Sequence, residues 1–243
     1  MRTTTPIALF LSSAQLVRMG QDSFPTKVAS ACLADYRGKR ILLTVAHATG
    51  DQGDWALQVR FAPQQNRTLL RWLGAMNFFA IGNLGSSELK RVDLSFVEID
   101  PSVTAYRQEI DPTKNTIKCE TPITVHALTL CEKPDPNDTF GFCGMVLPAQ
   151  EEHFGQRYFS GEIRTYPELS FLRTEGNYHV FKLPFDHPGH EHFEGCSGAP
   201  IINSAGIPVA LVCSGCDKHD EIWGISLAAY KVPIDLALDH AAE

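Results

Sequence analysis

Nothing in the sequence comes near the ~20 consecutive apolar residues that a helix needs to cross a membrane. The apolar run closest to the N-terminus, Ile7-Ala8-Leu9-Phe10-Leu11, is five residues long. A signal-peptide core needs ~7–15, so this segment is expected to form the first strand, and no membrane partner is expected. Basic charge is also sparse. Lysine and arginine total 21 against 28 acids, a formal net charge of -7. The densest basic stretch, Arg37, Lys39 and Arg40, reads as a polar hairpin tip. Nucleic acid requires a stripe of phosphate-neutralising charge, so no nucleic-acid partner is expected. Cys32, Cys119, Cys131, Cys143, Cys196, Cys213 and Cys216 show no disulfide framework, and an odd count cannot pair fully within one chain. A reducing, cytoplasmic setting is the simpler expectation, with a secreted form holding one or two bridges as the alternative. Internal repeats and low-complexity tracts are missing too.

What remains is a succession of short apolar runs separated by turn residues. Val28–Leu33, the turn Asp35-Tyr36-Arg37-Gly38-Lys39 and Ile41–Val45 read as a hairpin. Leu57–Phe61, Leu94–Ile99, Ile123–Leu130, Gly141–Leu147, Val180–Leu183, Ala199–Ile202, Pro208–Val212 and Ile222–Leu227 continue the pattern. Many short strands with few helical periods predict an all-β protein. The clearest helix is C-terminal, about 232–242, with Pro233 in its first turn. The polar stretch Asp100 to Pro122 reads as a link between halves, which places the N-terminal unit at 1–112 and the C-terminal unit at 113–243.

Three segments carry chemistry. His47 ends the apolar strand Leu42-Leu43-Thr44-Val45-Ala46, and Asp93 opens the strand Leu94-Ser95-Phe96-Val97. Each alone is a common strand-end residue. Ser197 lies in Gly195-Cys196-Ser197-Gly198-Ala199-Pro200, the composition of a sharp turn, and Gly195 permits a backbone that aims N–H groups at one point. Together the three change the reading. A serine hydroxyl needs a base such as imidazole to become a nucleophile. The imidazole needs an acceptor on its other nitrogen to fix its tautomer. The amides of Gly195 and Ser197 are the expected oxyanion donors.

These segments resemble the Thr-Ala-Ala-His, Asp-Leu/Ile-Ala-Leu/Val and Gly-Asp-Ser-Gly-Gly-Pro elements of trypsin/chymotrypsin-like serine peptidases, in the same order. The resemblance spans roughly residues 24 to 232. It implies two perpendicular six-stranded β-barrels, with His47 and Asp93 on the first and Ser197 on the second. Cys196 stands where secreted trypsins have the aspartate that pairs with a newly cut N-terminus, so the chain resembles the bacterial-type, non-zymogen branch. Viral relatives use a cysteine directly before the glycine; here Ser197 precedes Gly198, so the serine holds the nucleophile position.

The resemblance also implies a substrate site of Cys213, Ser214 and Gly215 on one wall and Gly224 and Ser226 on the other. Glu191, His192 and Phe193 form its expected floor. Glu191 suggests selection of a basic residue before the scissile bond; a solvated loop acid is the alternative. His187, His190, His192 and His219 with Cys213-x-x-Cys216 do not make a matched four-ligand set, so neither metal nor other cofactor is expected. The expected activity is a serine endopeptidase acting on protein or peptide substrates. Regulation is expected from a regulatory protein partner, from substrate supply or from a conformational switch, and a specific target in a stress or antiviral-defence system is expected, since a stand-alone cytoplasmic protease endangers its host. The alternative is a catalytically silent peptide-binding pseudoprotease.

Overall fold

The structure, a computed structural model, describes residues 6–22, 24–50, 54–65, 67–82, 89–111, 113–114, 116–153 and 156–240. A short helix α1 (Pro6–Phe10) leads into β1 (Ala14–Met19), β2 (Pro25–Tyr36) and β3 (Lys39–Thr44). Then come helix α2 (Ala46–Thr49), β4 (Trp55–Ala62), β5 (Arg67–Trp72), β6 (Asn77–Gly82) and β7 (Leu89–Glu98). A separate hairpin, β8 (Tyr106–Asp111) with β9 (Thr116–Pro122), precedes the bridge β10 (His126–Ala127). The remainder holds β11 (Thr139–His153), β12 (Gln156–Glu175), β13 (Tyr178–Lys182), β14 (Pro200–Asn203), β15 (Pro208–Cys216) and β16 (Glu221–Ser226), then helix α3 (Lys231–His240).

Turn chemistry explains the reversals. Tyr36 pairs with Lys39, which leaves Arg37 and Gly38 as the whole loop of the β2–β3 hairpin. Their φ values of 51° and 77° are both positive, the type I′ condition that matches the twist of the flanking strands. The β12–β13 reversal puts Gly176, φ 58°, first in its own two-residue loop.

The all-β expectation holds, and β11-β12-β13-β16-β15-β14 close into a six-stranded barrel. The first half differs from a six-stranded barrel. It is an eight-stranded sheet in the order β5-β4-β1-β2-β3-β7-β6, with β10 beside β2. The twelve-residue β2 allows this. Its first part pairs with β1, its last part with β3, and Ala34 and Asp35 also take β10. The expected strand Ile123–Leu130 shrinks to that two-residue bridge, because Ile123 and Thr124 donate their amides to Ala105 and Leu11 instead. The stretch read as a polar link forms the β8–β9 hairpin; Pro112 lies outside the described residues. So do residues 241–242 of the expected C-terminal helix.

The N-terminal segment also differs from expectation. Ile7–Phe10 is helical rather than extended, with Pro6 at its first position, where a missing N–H costs nothing. Leu9 is fully buried while Ile7 is 66% exposed. Leu9 plugs the barrel wall at Gly141, where an added Cβ would lie 2.8 Å from its side chain.

Three apolar clusters fill the molecule, one within each half and one between them. Along β3, Ile41 and Leu43 face the junction and Leu42 faces the first half's interior. Along β2, Cys32, Ala34 and Tyr36 face the junction, and Ala29, Ala31 and Leu33 face inward. Period-two alternation with both faces buried explains why these strands read as continuous apolar runs. Leu211, Ile225 and the α3 residues Ile234 and Leu238 complete the junction from the other side.

Glu221 is a buried acid on β16, 6% exposed. It accepts from Arg173 Nη1 and Nη2 at 2.7 and 3.2 Å and from Trp223 Nε1 at 3.3 Å. The Arg173 hydrogen bonds hold its carboxyl below the ordinary glutamate range, against the effect of burial. A depressed folded-state pKa stabilises above the unfolded pKa and is lost as pH falls through the folded one. Glu221→Gln is therefore expected to have a lower urea midpoint at neutral pH. The gap should close on acidification through and below the glutamate range; a gap that widened there would contradict this account.

Candidate active site

His47 sits on α2, the single helical turn after β3. Val45 caps its start and Gly50, φ 62°, ends it. The turn is held from below: Trp55 Nε1 donates to the Thr49 carbonyl at 2.7 Å, and Thr49 Oγ1 lies 3.2 Å from Ser95 Oγ. Asp93, on the neighbouring β7, reaches His47 twice. The His47 backbone N–H donates to Oδ1 at 2.8 Å, and the ring Nδ1 lies 2.8 Å from Oδ2. On its other side the ring Nε2 is 3.2 Å from Ser197 Oγ. The three residues thus form one continuous hydrogen-bond chain across the junction of the halves.

Ser197 is positioned by contacts that the sequence did not single out. Ser30, a lone polar residue in the apolar run of β2, donates its amide to the Ser197 carbonyl at 2.9 Å. Its hydroxyl donates to the Gly195 carbonyl at 2.8 Å. Thr44 Oγ1 in turn donates to the Ser30 carbonyl at 2.8 Å. The first half therefore grips the Gly195–Ser197 turn of the second. Gly198 has φ 89° and its N–H donates to Val212. Cys196 is buried, its thiol donating to the Met145 carbonyl at 3.3 Å. Burial drives that thiol's pKa well up, which removes thiolate character at this position.

Cys213 was assigned to the substrate wall. It does line the cleft, but its thiol also donates to Asp93 Oδ2 at 2.7 Å. Burial pushes the Asp93 carboxyl up. Hydrogen bonds from the His47 ring, the Cys213 thiol and the His47 amide outweigh it and hold the group below the ordinary aspartate range. Burial and the Asp93 charge raise the Cys213 thiol. Among the described residues, His47, Asp93 and Cys213 are the group whose ligand atoms, all within 4.8 Å of one another, could share a metal ion.

His47 and Ser197 open on a cleft of about 360 Å³. Phe193, Ser214 and Gly215 line it, with His190, Glu194, Val212 and Ile222. Glu191, His192, Gly224 and Ser226 lie outside its lining. Residues His190–Cys196 coil as a 3-10 turn, and that turn leaves Glu191 exposed. It also places His192 Nε2 2.7 Å from the Tyr166 hydroxyl. Gly224 faces the barrel interior, where an added Cβ would meet Ile201 and Ala210 at 2.7 and 2.8 Å. Ser226 is buried near the start of the C-terminal segment, its hydroxyl 3.4 Å from the Ala229 amide. Among the described residues, Glu194 is the acid that lines the cleft. His187 packs over Gly215 so closely that a Cβ there would lie 2.3 Å from its Nε2.

The same 3-10 turn bears on the oxyanion donors. In such a turn each amide points at the carbonyl three residues back. Gly195 lies inside the turn and Ser197 is its C-cap.

Comparison with solved structures places the architecture. Human heparin binding protein superposes with a TM-score of 0.59 at 14% identity, over 98% of this chain and 95% of that one. The serine endoprotease from Yersinia pestis gives 0.54 at 14% identity, over 96% of this chain and 65% of that one. The chain has the trypsin/chymotrypsin-like serine protease fold. No family model matches the sequence, and no curated protein matches it.

Proposed function

We propose that this protein is a serine endopeptidase that cleaves protein substrates through an acyl-enzyme. The observation that carries the reading is the hydrogen-bond chain Asp93–His47–Ser197 at the edge of an open cleft. With Nδ1–H bonded to Asp93, the Nε2 lone pair of His47 faces the serine hydroxyl and can take its proton as Oγ attacks a carbonyl. The imidazolium so formed is stabilised by the ionised Asp93 and returns the proton to the departing amine. Water then repeats the sequence to release the acid. Buried Cys196 offers no carboxylate to a cut N-terminus, which supports the non-zymogen branch. Seven free cysteines support a reducing, cytoplasmic setting.

A second reading, a peptide-binding pseudoprotease, is favoured by one feature: the 3-10 turn in which Gly195, an expected oxyanion donor, lies. A fluorophosphonate probe decides between them. Labelling of the native protein, absent in the Ser197→Ala control, is the expected result. Native protein that stays unlabelled with peptide substrate present would sink the enzyme reading. Peptide and ester substrates, compared next, separate endopeptidase from esterase activity.

A further inference from the structure

Asp93 Oδ2 carries two donors at once, His47 Nδ1 at 2.8 Å and Cys213 Sγ at 2.7 Å. These are three chemically different metal-ligand atoms, one nitrogen, one oxygen and one sulfur, converging behind the reactive side of the histidine. Both His47 and Cys213 border the cleft, so an ion has a path to them. The set matches the preference of borderline and soft cations for imidazole and thiolate. It is a poor set for magnesium or calcium, which take oxygen ligands.

We infer that His47 Nδ1, Asp93 Oδ2 and Cys213 Sγ form an inhibitory site for a zinc-like divalent cation. The inference rests on the peptidase reading only for its consequence, since binding itself needs no catalysis. Tetrahedral zinc bonds of about 2.0–2.3 Å separate its ligand atoms by about 3.3–3.6 Å. The Nδ1–Oδ2 and Sγ–Oδ2 separations, 2.8 and 2.7 Å, must therefore widen by less than about 1 Å, while Nδ1 and Sγ already lie within 4.8 Å of each other. A water would complete the four-coordinate set.

The proton balance gives the effect. The thiol releases one proton to solvent as its sulfur binds. The Nδ1 proton of His47 cannot stay on a metal-bound nitrogen, so the imidazole takes the tautomer protonated at Nε2. Carboxylate and thiolate together neutralise the divalent charge, which limits the cost of burying it. Nε2–H then donates to Ser197 instead of accepting from it, and the serine loses its base. The cation thus inhibits by fixing the wrong tautomer, without touching the nucleophile.

The test uses the full chain in three forms: native, Ser197→Ala and Cys213→Ser. Cobalt(II) is titrated while the near-ultraviolet cobalt–thiolate charge-transfer band is followed, and zinc is then added. The band should rise to one equivalent in the native and Ser197→Ala proteins, vanish on zinc addition, and be missing from Cys213→Ser. Zinc, but not magnesium, should raise the melting temperature of the first two and leave Cys213→Ser unmoved, a readout that also reports whether the variant is folded. Zinc at about ten times its Kd should slow fluorophosphonate labelling of the native protein about tenfold. A band that survives in Cys213→Ser, or no band in the native protein, overturns the site. Protein that never labels but shows the band defeats the peptidase reading and leaves the site standing. Labelling indifferent to bound zinc overturns the inhibitory role.

Discussion

Asp93→Asn is expected to slow probe labelling and peptide hydrolysis by about 10⁴-fold while leaving the fold intact. The local geometry dictates which way the new amide points. The His47 backbone N–H donates to Oδ1 at 2.8 Å and requires an acceptor there, so the asparagine oxygen takes that place. Its NH₂ then falls at Oδ2, facing His47 Nδ1 and Cys213 Sγ. Two donors cannot share one hydrogen bond, so Nδ1 must become the acceptor and the ring proton moves to Nε2. That tautomer cannot take the Ser197 proton. The measurement is the second-order labelling rate beside a urea titration. A loss of less than about tenfold with an unchanged urea midpoint would show that Asp93 does not set the tautomer, and the mechanism would fail with it.

The proposed zinc inhibition and the Asn variant act on the same proton of His47. The sequence carried the residue types. His47, Asp93 and Ser197 stood in short motifs because strand ends and a glycine turn impose local composition. The Arg37-Gly38 reversal was legible for the same reason. The rest depended on contacts between distant residues. Ser30 reaches Gly195 across 165 positions, and no local pattern marks a small serine in an apolar strand as a latch. Cys213 was placed on the right wall of the cleft, but its thiol meets Asp93 across 120 positions. Glu191 takes its expected place from the resemblance alone, and no local pattern marks the 3-10 coil His190–Cys196 in which it lies. Ile7–Leu11 was read as a strand because five apolar residues carry no period; only the socket at Gly141 decides for a helix that buries Leu9. The first half's extra strands follow from how β2 shares its length among partners, which pairing decides and composition does not.

The same cross-molecule grip leaves Gly198 no room for a side chain. Gly198→Ala is expected to lower stability by about 3–5 kcal/mol and to abolish labelling of Ser197. Two penalties add. At φ 89° a side chain is strained whatever space surrounds it. Beyond that, the new Cβ would lie 2.1 Å from Thr44 Oγ1 and 2.2 Å from the Ser30 carbonyl oxygen. Thr44 can rotate, but the Ser30 carbonyl is backbone in a paired strand, opposite Gln15 of β1. It cannot retreat without opening that pairing, so Ser197 must move away from β2 instead. That breaks the Ser30 N–H bond to the Ser197 carbonyl, 2.9 Å, and with it the 3.2 Å reach from His47 Nε2 to Ser197 Oγ. Thr44→Ala added to Gly198→Ala should rescue little, because the carbonyl clash persists; full rescue would assign the penalty to Thr44 alone. Urea midpoints and labelling rates of the single and double variants measure both effects. Native-like values for Gly198→Ala would mean that the two halves do not meet at this turn as described.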